Sequence, residues 1–240
     1  MSYLWDQISR AVSLIVHGDP FLLSLLSVTA RLAVVSTIAA LIIGLPIGAA
    51  LGLGRFRGRR ALQVLANASL ALPPVVVGVL LLIFILPQGP LGSLRIEFTL
   101  KAMYVAQTIL ALPYLVALTA AAIQGLPPGV IGQARALGAS RVQLAVLALR
   151  EAKVGVIAAI IAAATSTISE VGAVVIVGGN VTGRTESLAS ALLAEFTFTP
   201  NDPRETATAL ILLALVLVLV GTLTVLQQRT GQLRLRFREG

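Results

Sequence analysis

The stretch from Val154 to Val177 is apolar for long enough to cross a bilayer, and it constrains what the whole chain can fold into. A helix of about 20 residues spans the hydrocarbon core of a membrane. One carboxylate, Glu170, lies inside this run. Four hydroxyl side chains precede it: Thr165, Ser166, Thr167 and Ser169. A soluble domain has no use for this combination, so the run predicts a membrane span with a polar stripe.

Composition places the whole chain in the membrane class. Its 240 residues are 57% hydrophobic and 12% charged, with a mean hydropathy of +0.96, whereas soluble domains carry about 25% charged residues. Cysteine is absent, and one histidine with scattered carboxylates gives no metal-binding spacing. The sequence has no Gly-rich phosphate loop and no evident Ser/His/Asp arrangement. We therefore expect neither an ATPase nor any other enzyme.

Further apolar runs predict an all-α, polytopic membrane protein with five transmembrane helices. The predicted spans are 21–53, 61–86, 100–123, 154–177 and 207–226. Pro73-Pro74 predicts a kink or a re-entrant entry in the second span, and Pro113 predicts a kink in the third. We expect three parts: an interfacial segment over 1–20, a transmembrane domain over 21–226 and a basic tail over 227–240.

Positive charge collects in three of the segments that flank these spans. The basic residues of these three segments are Arg55, Arg57, Arg59 and Arg60 in the first, Arg135, Arg141, Arg150 and Lys153 in the second, and Arg229, Arg234, Arg236 and Arg238 in the third. The positive-inside rule places these segments in the cytoplasm, with the N-terminus outside and the C-terminus inside. The formal charge of +8 is thus a topology signal. Because the arginines lie on separate short loops, nucleic-acid binding is not expected.

The segment before the fourth span is basic and twice interrupted. Gly125–Gly132 contains two prolines and three glycines, which predicts a break in the helix. A polar-flanked basic stretch follows over Gln133–Glu151, with a Gly-Ala-Ser interruption at Gly138–Ser140. Its small residues would let a short helix seat closely in a partner's groove, and Gly138 would allow a sharp turn into the next helix. The alternative is a surface helix with no partner.

The core of this stretch, Ala134-Arg135-Ala136-Leu137-Gly138-Ala139-Ser140, resembles the cytoplasmic EAA loop of ABC-importer permeases. That loop reads Glu-Ala-Ala, three residues, then Gly. Here Gly132 stands in place of the Glu and Gln133 in place of the first Ala, while Leu149-Arg150 replaces a common Leu-Pro pair. The resemblance implies a type I ABC-importer permease fold with an EAA-type coupling helix. Its ATPase-coupling residues would be Gln133, Ala134, Arg135, Ala136, Leu137, Gly138, Ala139 and Ser140.

The runs Ile168–Ala173 and Val177–Asn180 resemble the corresponding region of tungstate-type permeases in the molybdate/tungstate branch. This implies an inner-membrane subunit that imports tungstate, with molybdate or another anion as the alternative. It also implies a homodimeric pore, two ABC ATP-binding subunits that use ATP, and an external oxyanion-binding protein. The chain itself would bind no cofactor. A non-ABC membrane carrier or a scaffold is the alternative from a different class.

Glu170 is costly inside a membrane and should face protein or water. At about 1.5 Å rise per residue, Arg31 in the first span lies at a similar depth, so we prefer an Arg31–Glu170 ion pair. Each residue pairing elsewhere, for instance across a dimer, is the alternative. A bare glutamate would repel an anion, so Glu170 is expected to have a structural or gating role.

The remaining polar and glycine positions of this region are candidates for the translocation path or its gate. They are Thr165, Ser166, Thr167, Ser169, Gly172, Gly178, Gly179 and Asn180. The hydroxyls favour either contacts between helices or a neutral lining for an anion, and the two are compatible. Gly178-Gly179-Asn180 predicts either an outer gate or a helix stop.

Overall fold

A computed structural model of the chain describes the backbone of residues 2–198 and 202–236, and the side chains within 5–127, 129–198 and 202–225. The regular secondary structure of the described backbone is all helical, which confirms the all-α prediction. The helices are α1 Ser2–Val16, α2 Pro20–Leu53, α3 Arg59–Ser69, α4 Pro74–Ile85, α5 Leu100–Gln124, α6 Pro128–Ala136, α7 Arg141–Glu151, α8 Lys153–Ser169, α9 Gly172–Gly178, α10 Leu188–Phe198 and α11 Pro203–Arg236. A 3-10 turn lies at Gly92–Leu94.

Three described helices are long and apolar enough to cross a membrane: Pro20–Leu53, Leu100–Gln124 and the Pro203–Val225 part of α11. The number rises to five if the bent pairs α3–α4 and α8–α9 each form one span. The chain is therefore a polytopic membrane protein. Residues 237–240 of the predicted basic tail lie outside the described residues, and the backbone before them continues α11.

Two predicted spans are broken. The second predicted span, 61–86, consists of α3 and α4. The chain breaks at Pro73-Pro74, because Pro73 caps α4 and Pro74 occupies the first turn of α4, where a missing N–H costs nothing. The fourth predicted span, 154–177, consists of α8 and α9, which meet at a 59° bend at Glu170–Val171. Pro113, in contrast, lies inside one unbroken helix, α5.

The helices contribute to two compact units. Unit 1 comprises the described residues of Met1–Ser36, Pro73–Thr108 and Thr165–Val218. Unit 2 comprises those of Thr37–Leu72, Ile109–Ala164 and Leu219–Gly240. Helices α2, α5, α8 and α11 each supply residues to both.

Unit 2 is held together by close contact between α2 and α5. A Cβ added at Gly44 or Gly48 would lie 2.9 Å from the Cβ of Leu115 or Thr119, respectively. At Gly52 the corresponding distance to the Cβ of Ile123 is 2.8 Å. Glycines four residues apart line one helix face, so the two backbones approach as in small-residue membrane packing.

Unit 1 gathers the starts of α2 and α11 around a small polar cluster. The Asp19 carboxylate accepts hydrogen bonds from the Phe21 and Leu22 N–H groups at 2.9 and 3.2 Å and so caps α2. Arg204 pairs with Asp19 at 3.1 Å, and its guanidinium lies 5.4 Å from the centre of the Phe21 ring. Burial raises the pKa of Asp19, but these hydrogen bonds and Arg204 outweigh it and leave the pKa below its usual value.

The segment predicted as a polar loop over 181–206 contains a packed helix, α10. The Leu188 N–H donates to the Thr29 hydroxyl of α2 at 2.9 Å, and Leu188 and Ala191 are fully buried with Leu25. At the start of α10, the hydroxyls of Ser187 and Ser190 each accept a hydrogen bond from the backbone N–H of the other residue. The helix is therefore part of the core of unit 1.

Candidate functional site

The basic segment of unit 2 is a pair of short helices, α6 and α7, joined by a tight turn. The predicted break over Gly125–Gly132 is only partly correct, because α6 already begins at Pro128. Pro127 is extended, with ψ 136°, and the next proline takes the first helical position. A proline pair can end one helix and begin another, since its fixed φ suits the first turn.

The turn after α6 is a Schellman motif. The Ala139 N–H donates to the Ala134 carbonyl and the Gly138 N–H to the Arg135 carbonyl, each at 3.0 Å. Gly138 has a φ of +83°, a conformation that costs a residue with a side chain. The predicted turn at Gly138 is thus confirmed, whereas a coupling helix running over all of Gln133–Ser140 is wrong, because α6 ends at Ala136.

Ser140 begins α7 through a capping box. Its hydroxyl accepts a hydrogen bond from the Gln143 N–H at 3.3 Å, and the Gln143 side chain accepts one from the Ser140 N–H at 2.8 Å. Three residues, Leu137, Gly138 and Ala139, thus separate the end of one helix from the cap of the next. Their hydrogen bonds fix the angle at which the turn is presented.

The tip of the turn is exposed while its base is packed. Leu137 is 89% exposed and Val142 73% exposed. At the base, Ala148 and Ala152 are buried with Ala49 and Ile123, and several apolar residues of α6 and α7 pack around them. The turn therefore presents the exposed Leu137 side chain from a packed base.

The second candidate region, in unit 1, is the break between α8 and α9. Glu170 is half-buried at this break, and its Oε1 accepts a hydrogen bond from the Ala173 N–H at 3.2 Å. The carboxylate therefore satisfies a free donor at the start of α9, where the helix dipole favours negative charge.

The predicted Arg31–Glu170 ion pair is not formed among the described side chains, whose ion pairs are Arg10–Asp6 and Arg204–Asp19. The Arg31 side chain is exposed. Counting residues along two helices gives their depth but not the direction in which each side chain points, which explains the error. The alternative, pairing across a dimer, stays a prediction.

Helix α9 packs against α4 through glycines on both sides. A Cβ at Gly78 would lie 2.8 Å from the Ala173 Cα, and one at Gly172 would lie 2.5 Å from the Val75 Cγ2. Neither distance leaves room for a side chain. Gly172 thus has a packing role, and its assignment to the path stays a prediction.

Gly178, Gly179 and Asn180 form the end of α9. Gly179 and Asn180 have φ values of +72° and +48°, and the Thr185 hydroxyl donates to the Gly178 carbonyl at 2.7 Å. The Phe98 N–H bonds the Val177 carbonyl at 2.9 Å. The geometry is that of a helix stop, the second of the two expectations, and an outer gate remains a prediction.

The hydroxyl stripe differs in exposure along its length. Thr167 is buried, Thr165 and Ser166 are half-buried, and Ser169 is exposed. The Ser169 hydroxyl donates to the Thr165 carbonyl at 2.9 Å, within its own helix. Lining of the path by these residues stays a prediction.

Sequence reasoning missed two sets of residues. One is the Gly44, Gly48 and Gly52 series, whose signal was four-residue spacing in an apolar run. The other is the buried pair Glu186 and Glu195 in unit 1, which have no such signal. Burial raises the pKa of Glu186, against a hydrogen bond from Thr182, and raises the pKa of Glu195 to about 7. For Glu195, a hydrogen bond from Thr208 lowers the pKa, while the neighbouring carboxylates raise it further.

These features define a polytopic, all-helical membrane protein with two bent helix pairs and an anchored, exposed turn between α6 and α7. The chain belongs to the family of binding-protein-dependent transport system inner membrane components, which matches residues 44–232. It is a multi-pass inner-membrane permease component and not an enzyme. A binding protein and an ATPase are the partners that such a permease implies, and membership excludes the non-ABC carrier and the scaffold.

Individual relatives cover most of the chain. A probable anion ABC transporter permease protein of Haloferax volcanii is 40% identical over 83% of this chain and 89% of its own length. The tungstate uptake system permease protein TupB of Campylobacter jejuni is 31% identical over 92% and 90%. The molybdenum transport system permease protein ModB of Azotobacter vinelandii is 30% identical over 70% and 77%.

Solved structures share the fold. An inward-facing structure of the MetNI methionine ABC transporter has a chain that superimposes with a TM-score of 0.71 at 20% identity, covering 88% of this chain and 96% of its own. The predicted type I ABC-importer permease fold is thereby confirmed.

Proposed function

We propose that this chain is the permease subunit of an ATP-driven importer of a tetrahedral oxyanion, with tungstate as the substrate. The likeness to anion and tungstate permeases supports this, as does the resemblance of Ile168–Ala173 to the tungstate-type sequence. Molybdate is the second candidate, because a molybdenum permease is 30% identical over 70% of the chain.

The single observation that carries the importer mechanism is the exposed turn between α6 and α7. Leu137 protrudes at its tip, and the Schellman motif and the capping box hold the two helices at a fixed angle. In the proposed cycle, each of two permease copies inserts its Gln133–Ser140 segment into one of two ATP-binding subunits. Closure of the ATPases on ATP then moves both helices as rigid bodies.

In the proposed homodimer, an external oxyanion-binding protein delivers the anion to the outer mouth of a shared pore. The hydroxyl side chains from Thr165 to Ser169 provide a neutral polar lining, which an oxyanion can pass without being held by a fixed charge. Glu170 has a structural or gating role, since its carboxylate caps α9 and would repel the cargo. The proposed orientation puts the N-terminus outside and the C-terminus in the cytoplasm, because the basic segments are the cytoplasmic ones.

Cellular tungsten and molybdenum, measured with and without this protein at scarce supply of each oxyanion, test the substrate. Loss of tungsten alone is the expected result. Loss of molybdenum alone would transfer the assignment to molybdate. Unchanged levels of both metals would remove both substrates and leave the permease assignment, which rests on other observations.

A further inference from the structure

Three arginines of unit 2 line one cavity of about 330 Å³ where two membrane-spanning helices end. We call it the arginine pocket and define it by Arg55, Arg59 and Arg135 with the apolar wall Leu53, Ile123 and Leu126. Leu53 is the last residue of α2, and Ile123 lies in the last turn of α5. No carboxylate belongs to the lining.

Arg59 is held in place by the end of α2. Its Nε donates to the Leu51 carbonyl at 2.7 Å and its Nη2 to the Gly52 carbonyl at 3.2 Å. These contacts satisfy carbonyls that lack partners within a helix and offset the negative end of its dipole. One guanidinium of the pocket is therefore oriented before any ligand arrives.

Arg55 and Arg135 carry charge that no carboxylate compensates among the side chains that the structure describes. Neither belongs to an ion pair among the described side chains, whose pairs both lie in unit 1. The only carboxylate among the described side chains of unit 2 is Glu151, and it does not line the cavity. Two free guanidiniums in one cavity repel each other and favour an anionic ligand, and their planar forks match the oxygens of a phosphate.

The position of the pocket selects the kind of anion. Helix α2 has 34 residues and α5 has 25, so each is longer than the hydrocarbon core and ends near the headgroups. The apolar wall beside the arginines suits the glycerol and the first carbons of an acyl chain. A small soluble anion would gain nothing from that wall.

Helix α3, which begins at Arg59, independently indicates contact with lipid. None of its 11 residues is buried, and Leu62, Val64 and Leu65 are 48%, 63% and 62% exposed. Basic residues at one end with exposed leucines along the helix are typical of a helix in the membrane interface. Arg55 and Arg59 also line an adjoining cavity of about 570 Å³ with Arg57 and Arg60.

We propose that the arginine pocket binds the phosphate headgroup of an anionic phospholipid. Arg55 and Arg135 bind the phosphate oxygens, Arg59 adds a fixed positive charge, and the apolar wall contacts the lipid below its headgroup. The pocket lies along α6, and its Arg135, in the last turn of that helix, is also one of the residues assigned to ATPase coupling in the proposed cycle.

The test is lipid retention by the purified permease in detergent, measured by native mass spectrometry. Phosphatidylglycerol should remain bound where phosphatidylcholine does not, and inorganic phosphate at equal concentration should not displace it. The double variant Arg55→Gln/Arg135→Gln should retain roughly tenfold less phosphatidylglycerol, since it loses charge-assisted hydrogen bonds. The control, Arg141→Gln/Arg150→Gln, removes the same charge outside the pocket and should retain the wild-type amount.

Three results would overturn the proposal. Equal retention of both lipids by the wild-type protein would exclude a headgroup site without any variant. Displacement by inorganic phosphate would identify a free-phosphate site instead. Unchanged phosphatidylglycerol retention in the pocket variant would exclude the lipid site. If the ATP-binding subunit also no longer co-purifies with that variant, the arginines would be a contact with that protein. Because retention is measured on the permease alone, failure of the oxyanion assignment would leave this measurement unaffected.

Discussion

Gly138 shows how one residue sets the direction of a whole segment. Its φ of +83° closes the Schellman motif at the end of α6, and a Cβ there would meet no other atom within 4 Å. The requirement is therefore for backbone conformation alone, and space is not limiting. A left-handed residue with a side chain costs about 1–2 kcal/mol.

We expect Gly138→Ala to lower the stability of the permease by about that amount, because alanine must adopt the left-handed conformation. Thermal unfolding in detergent measures the effect. Gly132→Ala is the matched control, since that glycine is in the same segment, has open space around it and has no positive φ. An equal loss in both variants would show that the turn is not what fixes the segment.

Glu195 gives a pH dependence at the scale of one carboxyl group. Burial raises its pKa to about 7 from 4.5, so the folded state favours the protonated form. The stabilisation is fully present below the ordinary pKa and is lost as the pH rises through the raised value. We expect the melting temperature of the wild-type protein to fall between about pH 5 and pH 8.

Glu195→Gln should remove this part of the pH dependence, because the amide does not ionise. The comparison is a series of melting curves against pH, with Glu151→Gln, a change at an exposed carboxylate of α7, as the control. A Glu195→Gln profile that falls as steeply as that of the wild-type protein would contradict the prediction.

At the scale of elements, the paired faces of α2 and α5 leave no room for a methyl group. Gly48→Ala places a Cβ 2.9 Å from the Thr119 Cβ and 3.0 Å from the Val116 carbonyl oxygen. We expect a loss of about 1–3 kcal/mol from overpacking, which exceeds the gain in helix propensity. Gly221→Ala on α11 has nothing within 4 Å and should be neutral or stabilising in the same unfolding assay.

The start of α9 separates two functions of Glu170. A glutamine keeps an oxygen that can accept the hydrogen bond from Ala173 but has no charge, and an alanine has neither. We expect Glu170→Ala to lower stability by about 0.5–2 kcal/mol, and Glu170→Gln by less. Assembly and transport assays show whether the charge matters: a normal Glu170→Gln protein would confine the residue to capping.

The elements differ in how far the sequence predicts them. Apolar runs and the glycine at position 138 identify the spans and the turn, because each has a local physical cause. The break at Glu170–Val171 has no proline to mark it in the sequence, and the structure shows it beside the close packing of α9 on α4. The Arg31–Glu170 pair failed for another reason, since depth along two helices does not give the rotation of either.

At the scale of the whole molecule, Leu137 is the residue through which the permease should meet its ATPase. Leu137→Asp places a charge at the tip of the turn and should reduce co-purified ATP-binding subunit roughly tenfold or more. Leu94→Asp in unit 1 is the control, because Leu94 is also exposed, at 56%. Equal recovery of the ATP-binding subunit with both variants would argue against docking at this turn.

The glycine series on α2 limits the movements that unit 2 can make. Gly44, Gly48 and Gly52 cover about 12 Å of helix, and a Cβ added at any of them would lie 2.8 or 2.9 Å from a Cβ of α5. A slide by one residue would bring side chains of α2 against those atoms, so translation between the helices is blocked. Because Ala49 of α2 and Ile123 of α5 are buried with Ala148 of α7, a displacement at the α6–α7 turn would act on α2 and α5 together.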